Sequence, residues 1–203
     1  MTISYHINDL PVGVSFGNCV AIDSETMGLN LNRDRLCVIQ LSAGDGTAHV
    51  VHFPDGNYDA PNLKAVLSDP RVLKLFHYAR FDLAMIQRFF GIICAPVYCT
   101  KVASKLCRTN TDRHGLKDLC RELLGVDLSK QQQTSDWGAP TLTSEQLAYA
   151  ASDVLYLHAL KAKMDALLTR EGRAELAEAC FSFLPVRSAL DLAGWPDEDV
   201  FAH

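Results

Sequence analysis

The sequence predicts an α/β domain with a mixed central sheet flanked by helices. Three observations carry that prediction. Short apolar runs bounded by turn residues crowd the first 76 positions, helical spacing of apolar residues fills most of the remaining chain, and one early strand ends on two carboxylates, Asp23 and Glu25. Strands first and helices later mark a sheet that packs its apolar face against helices. At 203 residues the chain is long enough for one full core, and it reads as a single domain over residues 1–203, without repeat, low-complexity tract or linker.

The first clear strand is Cys19-Val20-Ala21-Ile22, which runs into Asp23-Ser24-Glu25-Thr26. Residues two apart on a strand share a face, so Asp23 and Glu25 leave side by side. Adjacent anions repel unless a cation lies between them. Gly28 to Arg35 reads as a polar turn. Leu36 to Leu41 and Thr47 to Phe53 are the next strands, parted by Gly44-Asp45-Gly46, and the three suggest an antiparallel meander. Pro61 opens a short helix over Asn62 to Leu67, and Val72 to Phe76 reads as a fourth, buried strand.

Helices dominate from there. Phe81 to Phe90 has helical spacing and stops at Gly91, and Val102 to Leu106 and Leu116 to Leu124 come after it, the latter closed by Gly125. Lys130 to Gly138 is a polar loop. Thr143-Ser144-Glu145-Gln146 has the features of a capping box and opens one long helix through Leu168. A last helix is expected around Ala174 to Phe183, then Pro185, then an apolar and acidic tail with Trp195.

Composition narrows the function classes. The net charge of −5 argues against a broad electrostatic face for long nucleic acid, while leaving room for a short, locally gripped anion. Seven cysteines, an odd number with no Cys-x-x-Cys pair, indicate neither a zinc ribbon nor a redox dithiol and suit a reducing cytoplasm. No apolar run is long enough to span a bilayer, and Met1 to Gly13 has no signal-peptide core, so a cytoplasmic location is expected.

The chemistry gathers in few places. Asp82 falls in the first turn of a helix just after a buried strand, where favouring the helix dipole would by itself explain it. Asp153 lies inside the apolar stretch Leu147 to Leu157, and a carboxylate buried there needs a cation or several donors. Tyr149 stands one helical turn earlier on the same face. Four carboxylates without a histidine or cysteine cage suit Mg²⁺ or Mn²⁺. Two such ions, about 3.5–4 Å apart, serve in-line phosphodiester chemistry. Tyr149, with an ordinary pKa near 10, is a poor base at neutral pH and is assigned to orienting the attacking water.

Asp23-x-Glu25, His77-x-x-x-Phe81-Asp82 and Tyr149-x-x-x-Asp153 resemble the three motifs of the DEDD 3′–5′ exonucleases, in the tyrosine variety because Ala148 stands where the other variety has histidine. The stretches from Asp34 to Leu41 and from Gln132 to Trp137 are similar to ribonuclease D, over about Ala21 to Leu160. Cys99-Thr100-Lys101, Thr111 to Lys117, Tyr149 to His158 and Asp199 to His203 resemble the NrnC type of oligoribonuclease over essentially the whole chain. That resemblance implies an RNase H-like fold and no C-terminal accessory nucleic-acid-binding domain. It also implies hydrolysis of very short RNA, dinucleotides above all, and a homo-octamer.

Carried over residue by residue, the resemblance makes Asp23, Glu25, Asp82 and Asp153 the ligands of two divalent cations and Tyr149 the water-orienting group. Leu29 matches a leucine that wedges between the two bases, although the sequence alone allows a core role, and Gly28 would permit the tight turn before it. His77 is a candidate for a sugar hydroxyl or phosphate, or simply a packed strand-end histidine. Phe81 is a candidate for base stacking, while its periodicity favours the core. Lys101, Gln133 and Ser135 are candidates for the 5′ phosphate or else surface groups. Arg108 and Arg113 are weaker candidates that could serve a neighbouring subunit. Met27 carries no weight. The apolar tail from Phe181 packs on its own domain or, as the resemblance favours, on another subunit.

Overall fold

The carboxylate-bearing strand lies inside a six-stranded mixed sheet. The computed structural model describes residues 1–129 and 131–202, so the first residue of the polar loop, Lys130, and the terminal His203 lie outside the described residues. In chain order the strands are β1 (Thr2–Ile7), β2 (Cys19–Thr26), β3 (Leu36–Ser42), β4 (Thr47–His52), β5 (Leu73–Phe76) and β6 (Val97–Cys99). The helices are α1 (Pro61–Ser68), α2 (Ala79–Phe90), α3 (Thr100–Cys107), α4 (Leu116–Leu119), α5 (Ser144–Leu155), α6 (Leu157–Arg170) and α7 (Ala174–Ala193), with a π-helical turn over Cys120–Leu124 after α4.

Across the sheet the order is β1-β4-β3-β2-β5-β6. The meander expected from the sequence is present: β2 pairs antiparallel with β3, and β3 with β4. Parallel pairing of β1 with β4, β2 with β5 and β5 with β6 makes the sheet mixed. Every residue of β3 is buried, as its central place requires. The main core lies between the sheet and helices α1, α2, α3, α6 and α7, while Cys37, Val50, Trp137, Leu142 and Ala150 pack in a smaller cluster with α5. Among the described residues no helix is long and apolar enough to cross a membrane. All seven cysteines are free.

Three expectations are corrected. The sequence offered four strands, and the two it lacked are the outermost. β1 has only exposed and half-buried residues, as an edge does, and β6 is only three residues long. The predicted long helix begins at its capping box, Thr143 with Gln146, but breaks at Tyr156 (φ −105°, ψ −5°) into α5 and α6. Just upstream the Ser152 hydroxyl donates to the Tyr149 carbonyl at 2.7 Å, a back-bond that competes with the helical ladder and bends helices. Finally, α7 does not stop near Phe183. It runs through Pro185 to Ala193, its lost backbone bond offset by the burial of Ala177, Phe181, Leu184, Ser188 and Asp191 along one face.

Candidate active site

The site is built where β2 runs out, at the register shift between Glu25 and Thr26. Asp23 stands opposite Gln40 of β3 in the ladder, and the fully buried Gln40 amide donates to Asp23 Oδ2 at 3.0 Å. α5 supplies Tyr149 and Asp153 from one face. Carboxylate oxygens of Asp23, Glu25 and Asp153 all lie within 4.8 Å of one another. Asp82, 3% exposed, lines the same cavity but stands outside that trio, because the Ser24 hydroxyl holds its Oδ1 at 2.5 Å. The four carboxylates named from the sequence therefore converge as three plus one.

Their electrostatics stem from burial. Burial pushes the Asp23 carboxyl from 3.8 up to about 7, partly opposed by a hydrogen bond from the Ser24 backbone. Glu25 is raised well above the carboxylate range by burial and then by Asp23, Asp153 and Asp82. Asp82 and Asp153 rise for the same two reasons, burial first and the charge of Asp23 second. Among the described residues no lysine or arginine forms an ion pair with any of the four. Half-buried Asp23, Glu25 and Asp153 and buried Asp82, without a cationic side chain and offering oxygen donors alone, fit a hard divalent ion. Burial and the neighbouring carboxylates push the Tyr149 phenol upward, so it stays protonated at neutral pH. Its ring leans on buried Trp137, with centroids 6.0 Å apart.

These groups floor a cavity of about 650 Å³, and eleven of the residues singled out from the sequence line it: Asp23, Glu25, Leu29, His77, Phe81, Asp82, Lys101, Gln133, Ser135, Tyr149 and Asp153. Leu29 is 82% exposed, so it projects from its loop and is not core. Gly28 owes its place to close approach. A Cβ there would fall 2.3 Å from Asp34 Oδ2, the oxygen that accepts from the Asn30 backbone and shapes the loop. Phe81 is half-buried, touching the core with one part and the cavity with another. His77 is packed and also lines the cavity. Its Nδ1 lies 2.9 Å from Thr100 Oγ1, and burial together with Lys101 lowers it to about 3, which keeps the ring neutral. Ser135 Oγ accepts from the Gln146 amide at 3.1 Å, which leaves its own proton free to donate.

Other residues fare differently. Met27, given no weight from the sequence, lines the cavity with its thioether against Gly138. Arg108 is occupied locally by Glu122, Ser104 and the Arg113 carbonyl, and neither Arg108 nor Arg113 reaches the cavity. Tyr78, Lys117 and Trp137 also line it and were not singled out. Tyr78 caps α2 in the left-handed region (φ 71°), with the Lys101 ammonium 4.1 Å from its ring centroid. Gln40 was missed too. A polar residue at the centre of an otherwise apolar strand was the available signal.

Comparison with known proteins decides the family. A family model described as 3′–5′ exonuclease matches residues 7–169. NrnC from Brucella melitensis, solved bound to pGG, is 57% identical and superposes with a TM-score of 0.97 over 100% of this chain and 99% of that one. The chain belongs to the NrnC-type, ribonuclease D-like 3′–5′ exonucleases. A second NrnC structure from B. melitensis, with bound Mg²⁺, is 56% identical with a TM-score of 0.96 over the full length of both chains. Ribonuclease D of Acidiphilium cryptum is 35% identical over 156 residues, 77% of this chain and 39% of that protein. This NrnC-type chain thus spans about two-fifths of the length of the curated ribonuclease D relatives it matches. Escherichia coli RNase D shares the RNase H-like fold at a TM-score of 0.75 and 27% identity, over 89% of this chain and 48% of that one.

Proposed function

We propose that this protein is a metal-dependent 3′–5′ exoribonuclease that hydrolyses dinucleotides and other very short RNAs to 5′-mononucleotides. The observation that carries the reading is the convergence of Asp23, Glu25 and Asp153, with Asp82 beside them, in one cavity walled by the projecting Leu29. The NrnC relatives with pGG and with Mg²⁺ support a short RNA substrate and a divalent cation.

Asp23, Glu25, Asp82 and Asp153 would hold two Mg²⁺ or Mn²⁺ ions. When bound, such ions neutralise the developing charge of in-line displacement at phosphorus and make water a competent nucleophile. The remaining work falls to the chain's own groups. The protonated Tyr149 hydroxyl orients the attacking water, and Gln40 fixes the angle of Asp23. Leu29 wedges between the two bases, and the half-buried Phe81 offers one of them a ring face. Neutral His77 bonds a sugar hydroxyl or phosphate oxygen. Lys101, Gln133 and Ser135 hold the 5′ phosphate, and a strand continuing past that contact would have no room.

The resemblance further supports a homo-octamer, and exposed Phe183, Val186, Trp195 and Phe201 on α7 and the tail suit a subunit contact. Light scattering gives the subunit count directly. Seven free cysteines favour the cytoplasm. The alternative, trimming of tRNA or other structured RNA, is favoured by the ribonuclease D relatives. Cleavage of 5′-labelled RNAs of increasing length with Mg²⁺ decides between them. The proposal requires the dinucleotide to disappear far faster than the rest, and equal shortening of all lengths would replace it with general 3′ trimming.

A further inference from the structure

Asp191, in the last turn of α7, is 4% exposed, and two arginines converge on it. Arg80 donates to it through Nε at 2.6 Å and Nη2 at 2.7 Å, and Arg187 through Nη2 at 2.9 Å. The same guanidinium groups reach the chain beyond the helix. Arg187 donates to the carbonyls of Trp195 and Pro196, both at 2.8 Å, and Arg80 also donates to the Pro196 carbonyl. Fully buried Ser188 donates to the Arg80 carbonyl at 2.8 Å. The C-terminal helix and the segment after it are thereby tied to the first turn of α2, which carries Tyr78, Phe81 and Asp82 into the active-site cavity.

A second cavity, of about 380 Å³ and polar, lies at this junction, bounded by Arg80, Asp191 and Pro196. Leu29, Tyr78 and Phe81 are walls of both cavities. On the side of the second cavity the Tyr78–Phe81 part of that partition faces the tie. Tyr78 sits in a left-handed conformation that a tyrosine holds only when its surroundings impose it. A bidentate arginine fork fixes orientation as well as distance, which a single contact does not.

We propose that Asp191 is a positioning residue for the substrate. Through Arg80 and Arg187 it fixes the Tyr78–Phe81 side of the wall shared with Leu29, and so sets how tightly a dinucleotide binds and how far longer RNA is refused. This role rests on the exoribonuclease reading. Asp23, Glu25 and Asp153 are held from β2 and α5, and Asp82 by Ser24, so the chemical step has its own supports. Loss of Asp191 leaves two guanidinium groups without their shared partner, and the wall relaxes.

The test uses the full chain with Mg²⁺: wild type, Asp191→Asn and Arg187→Gln, on RNAs of two and five nucleotides, with melting temperature and active fraction recorded. Asp191→Asn is expected to raise KM for the dinucleotide about tenfold with kcat within about twofold, and to lower the two-to-five preference in kcat/KM by a similar factor. Arg187→Gln, which keeps the Arg80 fork, shifts both in the same direction and less. A fall in melting temperature and active fraction with KM and the length preference unchanged makes Asp191 merely structural and overturns the proposal. If Asp191→Asn does not fold, unchanged KM and preference in Arg187→Gln overturn it alone. A wild type that cleaves neither RNA overturns the exoribonuclease reading and this role with it. A wild type that cleaves, beside variants that match it, overturns only this role.

Discussion

Replacing Asp23 by asparagine keeps its shape and removes the charge that burial penalises. The carboxyl rises from 3.8 to about 7 in the fold. Three units at about 1.4 kcal/mol each come to about 4 kcal/mol favouring the protonated acid in the folded state over the unfolded one. The sign depends on which state holds the proton. From about pH 4 to about pH 7 the fold binds a proton that the unfolded chain has lost, so the metal-free fold is favoured by acid and loses that advantage as pH rises. Above that window wild type carries the whole penalty and Asp23→Asn carries none. For a chain of this length about 4 kcal/mol corresponds to roughly 8–16 °C in melting temperature. Thermal unfolding in EDTA from about pH 5 to about pH 8 should therefore show the variant gaining on wild type as pH rises. Saturating Mg²⁺ should stabilise wild type far more than the variant. The variant should hydrolyse nothing. Melting curves of the two proteins that stay parallel across that range in EDTA would refute the buried-carboxylate reasoning.

Three further outcomes are expected. Tyr149→Phe keeps the ring against Trp137 and loses only the hydroxyl, so kcat should fall about 10²-fold with KM little changed; single-turnover cleavage of a dinucleotide measures it, and a matching rise in KM would argue against a water-orienting role. Leu29→Ala, at a side chain 82% exposed, should leave melting temperature unchanged and blunt the preference for dinucleotides over longer RNA; unaltered discrimination would remove the wedge. Gly28→Ala places a methyl 2.3 Å from Asp34 Oδ2 and should displace the Leu29 loop, copying the Leu29→Ala length profile; a wild-type profile would show that the loop's shape does not matter.

Most of the site was legible in the sequence because its geometry is local. Two residues apart on a strand and four apart on a helix fix which side chains share a face, so Asp23 with Glu25 and Tyr149 with Asp153 could be paired by counting. What counting could not reach was the third dimension. Asp82 appeared equivalent to the other three, yet Ser24, whose side chain the strand alternation turns away from Asp23 and Glu25, draws it out of their cluster. Gln40 and Tyr78 meet partners brought in from other elements, Asp23 and Lys101, and a polar residue inside an apolar strand marked Gln40 as unusual without naming its partner. The fold shows the same division. The central strands carry long apolar runs and were plain, whereas β1 and β6 are stabilised by neighbours distant in sequence. Pro185 was read as a stop because local rules make it one, and packing of α7 against the core overrides them.

The pairing of Asp23 with Gln40 ties the position of a candidate metal-binding carboxylate to the sheet's ladder. β3, which supplies the amide, is buried from end to end and lies between two other strands, so it has no edge from which to peel. The local openings that loosen loops and helix ends cannot separate this pair without dismantling the middle of the sheet. The amides of Asp23 and Gln40 should then exchange with solvent only by global unfolding. Loosening of the Leu29 loop or of the tail would admit and release RNA while this corner of the site stays assembled through every turnover.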